Sequence, residues 1–241
     1  DNNQFVPCDE SLCYSSIGMS TPRKVIEEIV DALESQGLQV ENYYPELGHG
    51  QQELSIRFDD ALTSADNHIV YRETVRNVAL KHGFFVSFAP KPFANQAGNG
   101  CHIHLSVWDA DGMNNLFYSP TDKINLSDMA YQFISGIITH LPGLVALTCP
   151  SVNSYRRLKP QAWSSAYACY GPDNREAAVR IPSPFWGREK TSINIELKAA
   201  DASANPYIAL GGVIAAGLDG IETGVRPHEN LFLEVDPATL S

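Results

Sequence analysis

The chain has 241 residues, with 17 Lys and Arg against 28 Asp and Glu, a net charge of −11 and 44% hydrophobic residues. Such an acidic balance excludes a basic nucleic-acid footprint, and the apolar content excludes a disordered chain. The apolar stretches near Phe133–Cys149 and Tyr207–Leu218 are interrupted by His140 and Pro142, or fall short of the roughly 20 residues a span needs, so no membrane segment is expected.

Ser20 or Thr21 is placed to cap a first helix, with Pro22 at its first position and Gly37 past its end. Val25, Ile26, Ile29, Val30 and Leu33 recur between them at helical spacing. Glu53–Phe58 alternates as a strand, with Glu53, Ser55 and Arg57 on one face. A second helix is expected from Ser64 to Gly83, followed by a Pro-, Gly- and Asn-rich loop over Ala89–Gly100. Cys101–Trp108 alternates again, placing His102, His104 and Ser106 together. A third helix lies within Leu126–Leu147, and Ser151–Pro172 reads as irregular. Ser192–Lys198 is a third alternating strand, with Ser192, Asn194, Glu196 and Lys198 on one face. A last helix starts at Asn205 and Pro206 and runs to about Gly220. A sheet of such strands buries its greasy side under helices and presents a polar floor. No linker divides the chain, so residues 1–241 are expected to be a single domain.

The five cysteines have no CxxC spacing, which fits a reducing compartment such as the cytoplasm. The chain opens on Asp1 and shows no leader pattern, which predicts a trimmed piece of a longer protein.

Four groups of residues carry chemistry. Glu46 and Glu53 flank a Gly48-His49-Gly50 turn and are either a pair of hard-cation ligands or two solvated acids. In GNGCHIH, glycines precede His102 and His104, a pair that suits a metal, a phosphate or merely a solvated strand face. Arg156, Arg157, Arg175 and Arg180 offer guanidinium forks to an anionic ligand, or neutralise acids such as Asp173 and Glu176. Glu196 and Lys198 share a strand face, either as cross-strand partners or as a ligand beside a cationic clamp.

Taken in order, PEL-GHGQQE, FAPKP, GNGCHIHLS, NSYRRLKP, DNREAAVRIP, IELK and ANPYIALGGVIAAGLDGI make the chain, from about Gly37 to Gly220, resemble the catalytic domain of the glutamine synthetase family. The resemblance implies an α+β fold, a curved antiparallel sheet with helices packed on one face, as in the glutamine synthetase and guanido kinase type of catalytic domain. It implies an ATP-dependent carboxylate–amine ligase that joins glutamate or a related acid to ammonia or an amine through an acyl phosphate, with Mg2+ or Mn2+. Glu46 and Glu53 are implied to hold one ion, His102 and Glu196 another. His104, Arg175 and Arg180 are implied near the ATP phosphates, Phe58 and Ser106 at the nucleotide, and Arg157, Gly98, Lys198 and Trp163 at the amino-acid and amine side, with Arg175 and Arg157 as catalytic residues.

Three positions depart from the family pattern. Trp163 stands where a proton-accepting glutamate is expected, Lys198 where an arginine clamps the substrate carboxylate, and Ala97 where the substrate loop has asparagine. They leave room for two further readings: a γ-glutamyl-polyamine or other amine ligase, and a catalytically silent scaffold. The resemblance also implies an upstream E-x-E strand, an amino-terminal domain and a ring of subunits. This chain by itself is therefore expected to turn over weakly or not at all. No nucleic-acid or membrane partner is expected.

Overall fold

The computed structural model describes residues 5–162 and 164–227. It is a mixed α+β fold with open sheets, divided into two compact units, Asp1–Asn99 and Gly100–Ser241. The expectation at Trp163 lies outside the described residues.

The first unit contains α1 (Ser16–Ser20), α2 (Arg23–Ser35), β1 (Val40–Pro45), β2 (Gln52–Ile56) and α3 (Ala61–Lys81). In α2 the apolar positions named from periodicity, Val25, Ile26, Ile29 and Leu33, are buried and pack with Leu38, Val75 and Ala79. No side chain caps α2, where Ser20 or Thr21 was expected; Pro22 itself is the N-cap, and Gly37 ends the turn with φ 87°. The second helix starts earlier than the apolar pattern predicts, because the Asp60 carboxylate accepts the backbone N–H of Leu62 and Thr63, both at 3.0 Å. β1 and β2 form an antiparallel hairpin with Tyr44 opposite Glu53 and Pro45 opposite Gln52.

His68 on α3 has its imidazole pushed down to about 4 by burial and by the neighbouring Arg72 charge. The folded form therefore binds fewer protons than the unfolded chain between about pH 4 and pH 6.5. Its contribution is complete above the unfolded value and is lost as pH falls. Lowering the pH from 7 to 5 is expected to cost about 2 kcal/mol at this residue, and His68→Gln should remove that slope. Urea melts at the two pH values check it; an identical pH dependence in the variant would disprove it.

The second unit contains β3 (Ile103–Leu105), α4 (Asp128–Thr148), α5 (Val152–Arg157), β4 (Tyr167–Pro172), β5 (Ala177–Ile181), α6 (Glu189–Ser192), β6 (Ile195–Leu197) and α7 (Pro206–Thr223). Its sheet has the order β3-β6-β5-β4. β6 is antiparallel to both β3 and β5, but β4 lies parallel to β5, so the sheet is not wholly antiparallel as the resemblance implied. The turn 173–176 joins the parallel pair, with Asp173 at φ 49°. The stretch expected to be irregular holds both α5 and β4. Ser151 and Ser154 bond reciprocally as a capping box, which nucleates the short helix. The strands are shorter than the alternation predicts, and the polar face of β6 is not a solvated floor, since Glu196 and Lys198 are both buried.

Helices α4 and α7 pack closely, and α4 also lies on β4 and β5. Phe133, Ile134, Ile137, Leu141 and Leu144 enter one core with Val179, Ile195, Leu197 and Val213. Pro142 sits inside α4 rather than ending it; burial of the apolar face outweighs the roughly 3 kcal/mol a helical proline costs. By length and composition α4 could cross a membrane, but half of its apolar window is buried inside the protein. The contact with α7 runs over glycines. A Cβ on Gly136 would collide with Ala216 O, one on Gly220 with Gln132 O, and one on Gly217 with the Phe133 ring. Asn205 caps α7 through its side chain, and Gly224 closes it in the left-handed region.

Candidate active site

In the second unit, ladder register builds the site. Glu196 on β6 stands opposite His104 on β3 and opposite Arg180 on β5, so three strands bring the three side chains side by side. The Glu196 side chain is 3% exposed. Its Oε1 lies 2.9 Å from His102 Nδ1 and 3.8 Å from His104 Nε2, while Oε2 lies 2.9 Å from Arg180 Nη1. Burial pushes the Glu196 carboxyl up. The hydrogen bond and charge of His102, with the His104 and Arg180 charges, outweigh that and hold it at about 2. Glu196 is thus a buried carboxylate that stays ionised.

Lys198, two residues further along, is pushed down to about 8 chiefly by burial; the Glu196 charge opposes that shift and Arg180 adds to it. Glu196 Oε2 is buried without an aligned hydrogen bond, so its approach to Arg180 Nη1 is a contact of charge to charge. Gly100 leaves the space for the His102 ring, since a Cβ there would stand 2.5 Å from His102 Nε2. Ser106 Oγ accepts Trp108 Nε1 at 2.9 Å. Arg175 is exposed on the turn 173–176. Arg157, at the end of α5, is 4% exposed, and its Nη2 donates to Lys198 O at 3.2 Å and Ala200 O at 2.9 Å.

In the first unit, Glu53 sits on β2 and Glu46 just past the end of β1, where Glu46 N donates to Gln51 O at 2.9 Å. The Tyr44 hydroxyl donates to Glu53. Burial, that hydrogen bond and the charges of Glu53 and Glu46 drive the Tyr44 phenol well above its ordinary range, so both carboxylates act on one hydroxyl. The turn is fastened to the Gly98 loop by Gln51 Nε2, which donates to Gly98 O at 3.0 Å and Asn99 Oδ1 at 2.8 Å. Ala97 lies in the same loop, and Phe58 just after β2 is 68% exposed.

Within each unit, among the described residues, no three His, Cys, Asp or Glu side chains converge as a metal cage. Glu46 and Glu53 both act on the Tyr44 hydroxyl in the first unit, and His102 lies 2.9 Å from Glu196 in the second. His102 with Glu196 is a donor set that suits a hard divalent cation: the carboxylate is ionised and an imidazole lies alongside.

Two participants were not singled out from the sequence. Tyr44 shows only as the residue opposite Glu53 in the hairpin. Asn194 was visible on the polar face of its strand, but its role was not. Its Nδ2 donates to Ser192 O and its Oδ1 meets His104 Nδ1, both at 2.9 Å, which fixes the amide and makes His104 Nδ1 a donor.

The family profile described as the glutamine synthetase catalytic domain matches residues 3–237. A glutamine synthetase of Halobacterium salinarum is 42% identical over 202 residues, covering 84% of this chain and 43% of the relative. A glutamate–methylamine ligase of Methyloversatilis universalis is 39% identical over 232 residues, covering 91% of this chain and 50% of the relative. A γ-glutamylpolyamine synthetase of Streptomyces coelicolor is 38% identical over 236 residues, covering 98% and 50%. Among solved structures, a GmaS complex with ADP superposes with a TM-score of 0.86 at 38% identity, covering 97% of this chain and 54% of that one. The chain spans about half the length of the curated relatives it matches.

Proposed function

The chain belongs to the glutamine synthetase catalytic-domain family, and from that premise we propose that it is part of an ATP-dependent carboxylate–amine ligase. The observation that carries the reading is the buried, ionised Glu196 set between His102, His104 and Arg180. An ionised carboxylate with imidazoles on one side and a guanidinium on the other can hold a divalent ion beside phosphate oxygens.

The reaction proceeds in two transfers. A carboxylate oxygen of glutamate, or of a related acid, attacks the γ-phosphorus of ATP, and ADP leaves with the bridging electron pair. The amine nitrogen then attacks the acyl carbon, inorganic phosphate departs, and the nitrogen gives up a proton. Mg2+ or Mn2+, when bound at Glu46 and Glu53 and at His102 and Glu196, supplies charge neutralisation for the phosphates. Arg175, Arg180 and His104 stabilise the charge on the transferring phosphoryl group. Ser106 and Phe58 lie along the nucleotide, and Gly98, Arg157 and Trp163 belong to the acid and amine side. We take the two units as parts of one catalytic domain of a cytoplasmic homo-oligomer.

Amine ligation is the second reading, favoured because relatives named as methylamine and polyamine ligases match nearly as well as a glutamine synthetase. Phosphate release by the full-length protein with ATP, Mg2+ and glutamate decides between them when ammonia, methylamine and a polyamine are compared. Release that depends on ammonia selects glutamine formation, and release that depends on a substituted amine selects the second reading. No release with any amine would overturn the ligase proposal in favour of a silent scaffold.

A further inference from the structure

Lys198 has a protein partner at each of its three polar groups. Its N–H donates to Ala178 O at 2.8 Å, its carbonyl accepts Arg157 Nη2 at 3.2 Å, and its ammonium donates to the backbone carbonyl of Arg175. The residue is 3% exposed. A group that clamps a substrate carboxylate must open onto the space the substrate enters; here the ammonium points instead to the main chain of the neighbouring turn. That turn, residues 173–176, has further fastenings. Asn174 Oδ1 accepts Glu176 N at 3.0 Å and Ala177 N at 3.2 Å, and Asp173 N donates to Ile181 O at 2.9 Å. Arg175 itself is exposed. An ammonium on a flexible stem delivers a point contact to one carbonyl, which suits this task, whereas a guanidinium fork suits a carboxylate.

We propose that Lys198 is a positioning residue for Arg175, holding the turn that presents the Arg175 guanidinium to the nucleotide phosphates, and is not a direct clamp on the acid substrate. The inference rests on the ligase reading above.

The test is a double-mutant cycle on the full-length protein with Lys198→Met and Arg175→Ala, read by calorimetric affinity for Mg–ADP and by KM for ATP and for the acid. Lys198→Met keeps the length and removes the ammonium that reaches the Arg175 carbonyl. Should it not fold, Lys198→Gln enters the same cycle. Lys198→Met is expected to weaken Mg–ADP binding roughly tenfold and raise the KM for ATP, with the KM for the acid nearly unchanged. Because the effect travels through Arg175, it should shrink to about twofold or less in the Arg175→Ala background. Additive losses, a raised KM for the acid with unchanged nucleotide affinity, or no change at all would overturn the inference. Wild-type protein that binds no Mg–ADP would sink the ligase reading itself, whereas normal wild-type binding with an unaffected Lys198→Met sinks the positioning role alone.

Discussion

Gly136→Ala is expected to destabilise the second unit by about 3 kcal/mol or more, enough to remove much of the stability of an ordinary domain. The added methyl would meet Ala216 O on α7, along with the backbone N and Cα of Gly220, and backbone atoms cannot swing aside as a flexible side chain can. Helix propensity works the other way, since alanine gains about 1 kcal/mol over glycine inside a helix. The two terms can be separated within the same pair of helices. Gly143 on α4 and Gly211 on α7 have nothing within 4 Å of a built Cβ, so alanine there should stabilise by about 0.5–1 kcal/mol. Denaturant midpoints for the three variants measure it. A neutral Gly136→Ala would show that α4 and α7 do not pack at backbone distance.

Glu196→Gln is expected to lower ligase turnover of the full-length protein by about a thousandfold or more, a loss on the scale of removing one electrostatic stabiliser from a preorganised site. The amide is nearly the same size, so shape is retained while charge is removed. Arg180 then loses its buried counter-charge, and His102 loses the anion on its Nδ1. Thermal stability should fall as well, because an uncompensated buried guanidinium is costly. The carboxylate's own contribution to stability, with the group held at about 2, is complete above about pH 4.5 and is lost as pH falls through the folded value. Turnover and the affinity for Mg–ADP are the readouts. Turnover of Glu196→Gln within tenfold of wild type would remove Glu196 from the catalytic machinery.

Much of this was readable in the residues, and the limits have physical causes. Period-3.6 patterning located Arg23–Ser35 because one face of that helix faces a core. It placed the second helix late because the start is set by the Asp60 side chain rather than by apolar spacing. Alternation correctly put His104 and Glu196 on polar strand faces, but could not tell that the face of β6 is covered, since burial belongs to the neighbouring strands. The ladder partners His104, Arg180 and Glu196 are far apart in the chain, and only register makes them neighbours. The parallel placement of β4 was invisible because so short a turn usually joins antiparallel strands. For Lys198, residue type alone identified a cation, and the direction of its ammonium needed the turn that it reaches.

The central position of β6 ties the chemistry to the order in which the chain comes together. Glu196 acquires its neighbours only when segments near residues 104 and 180 have both docked against the same short strand. Closing loops of that length is slow. During refolding, recovery of nucleotide affinity should therefore lag behind helical signal and coincide with the final cooperative step.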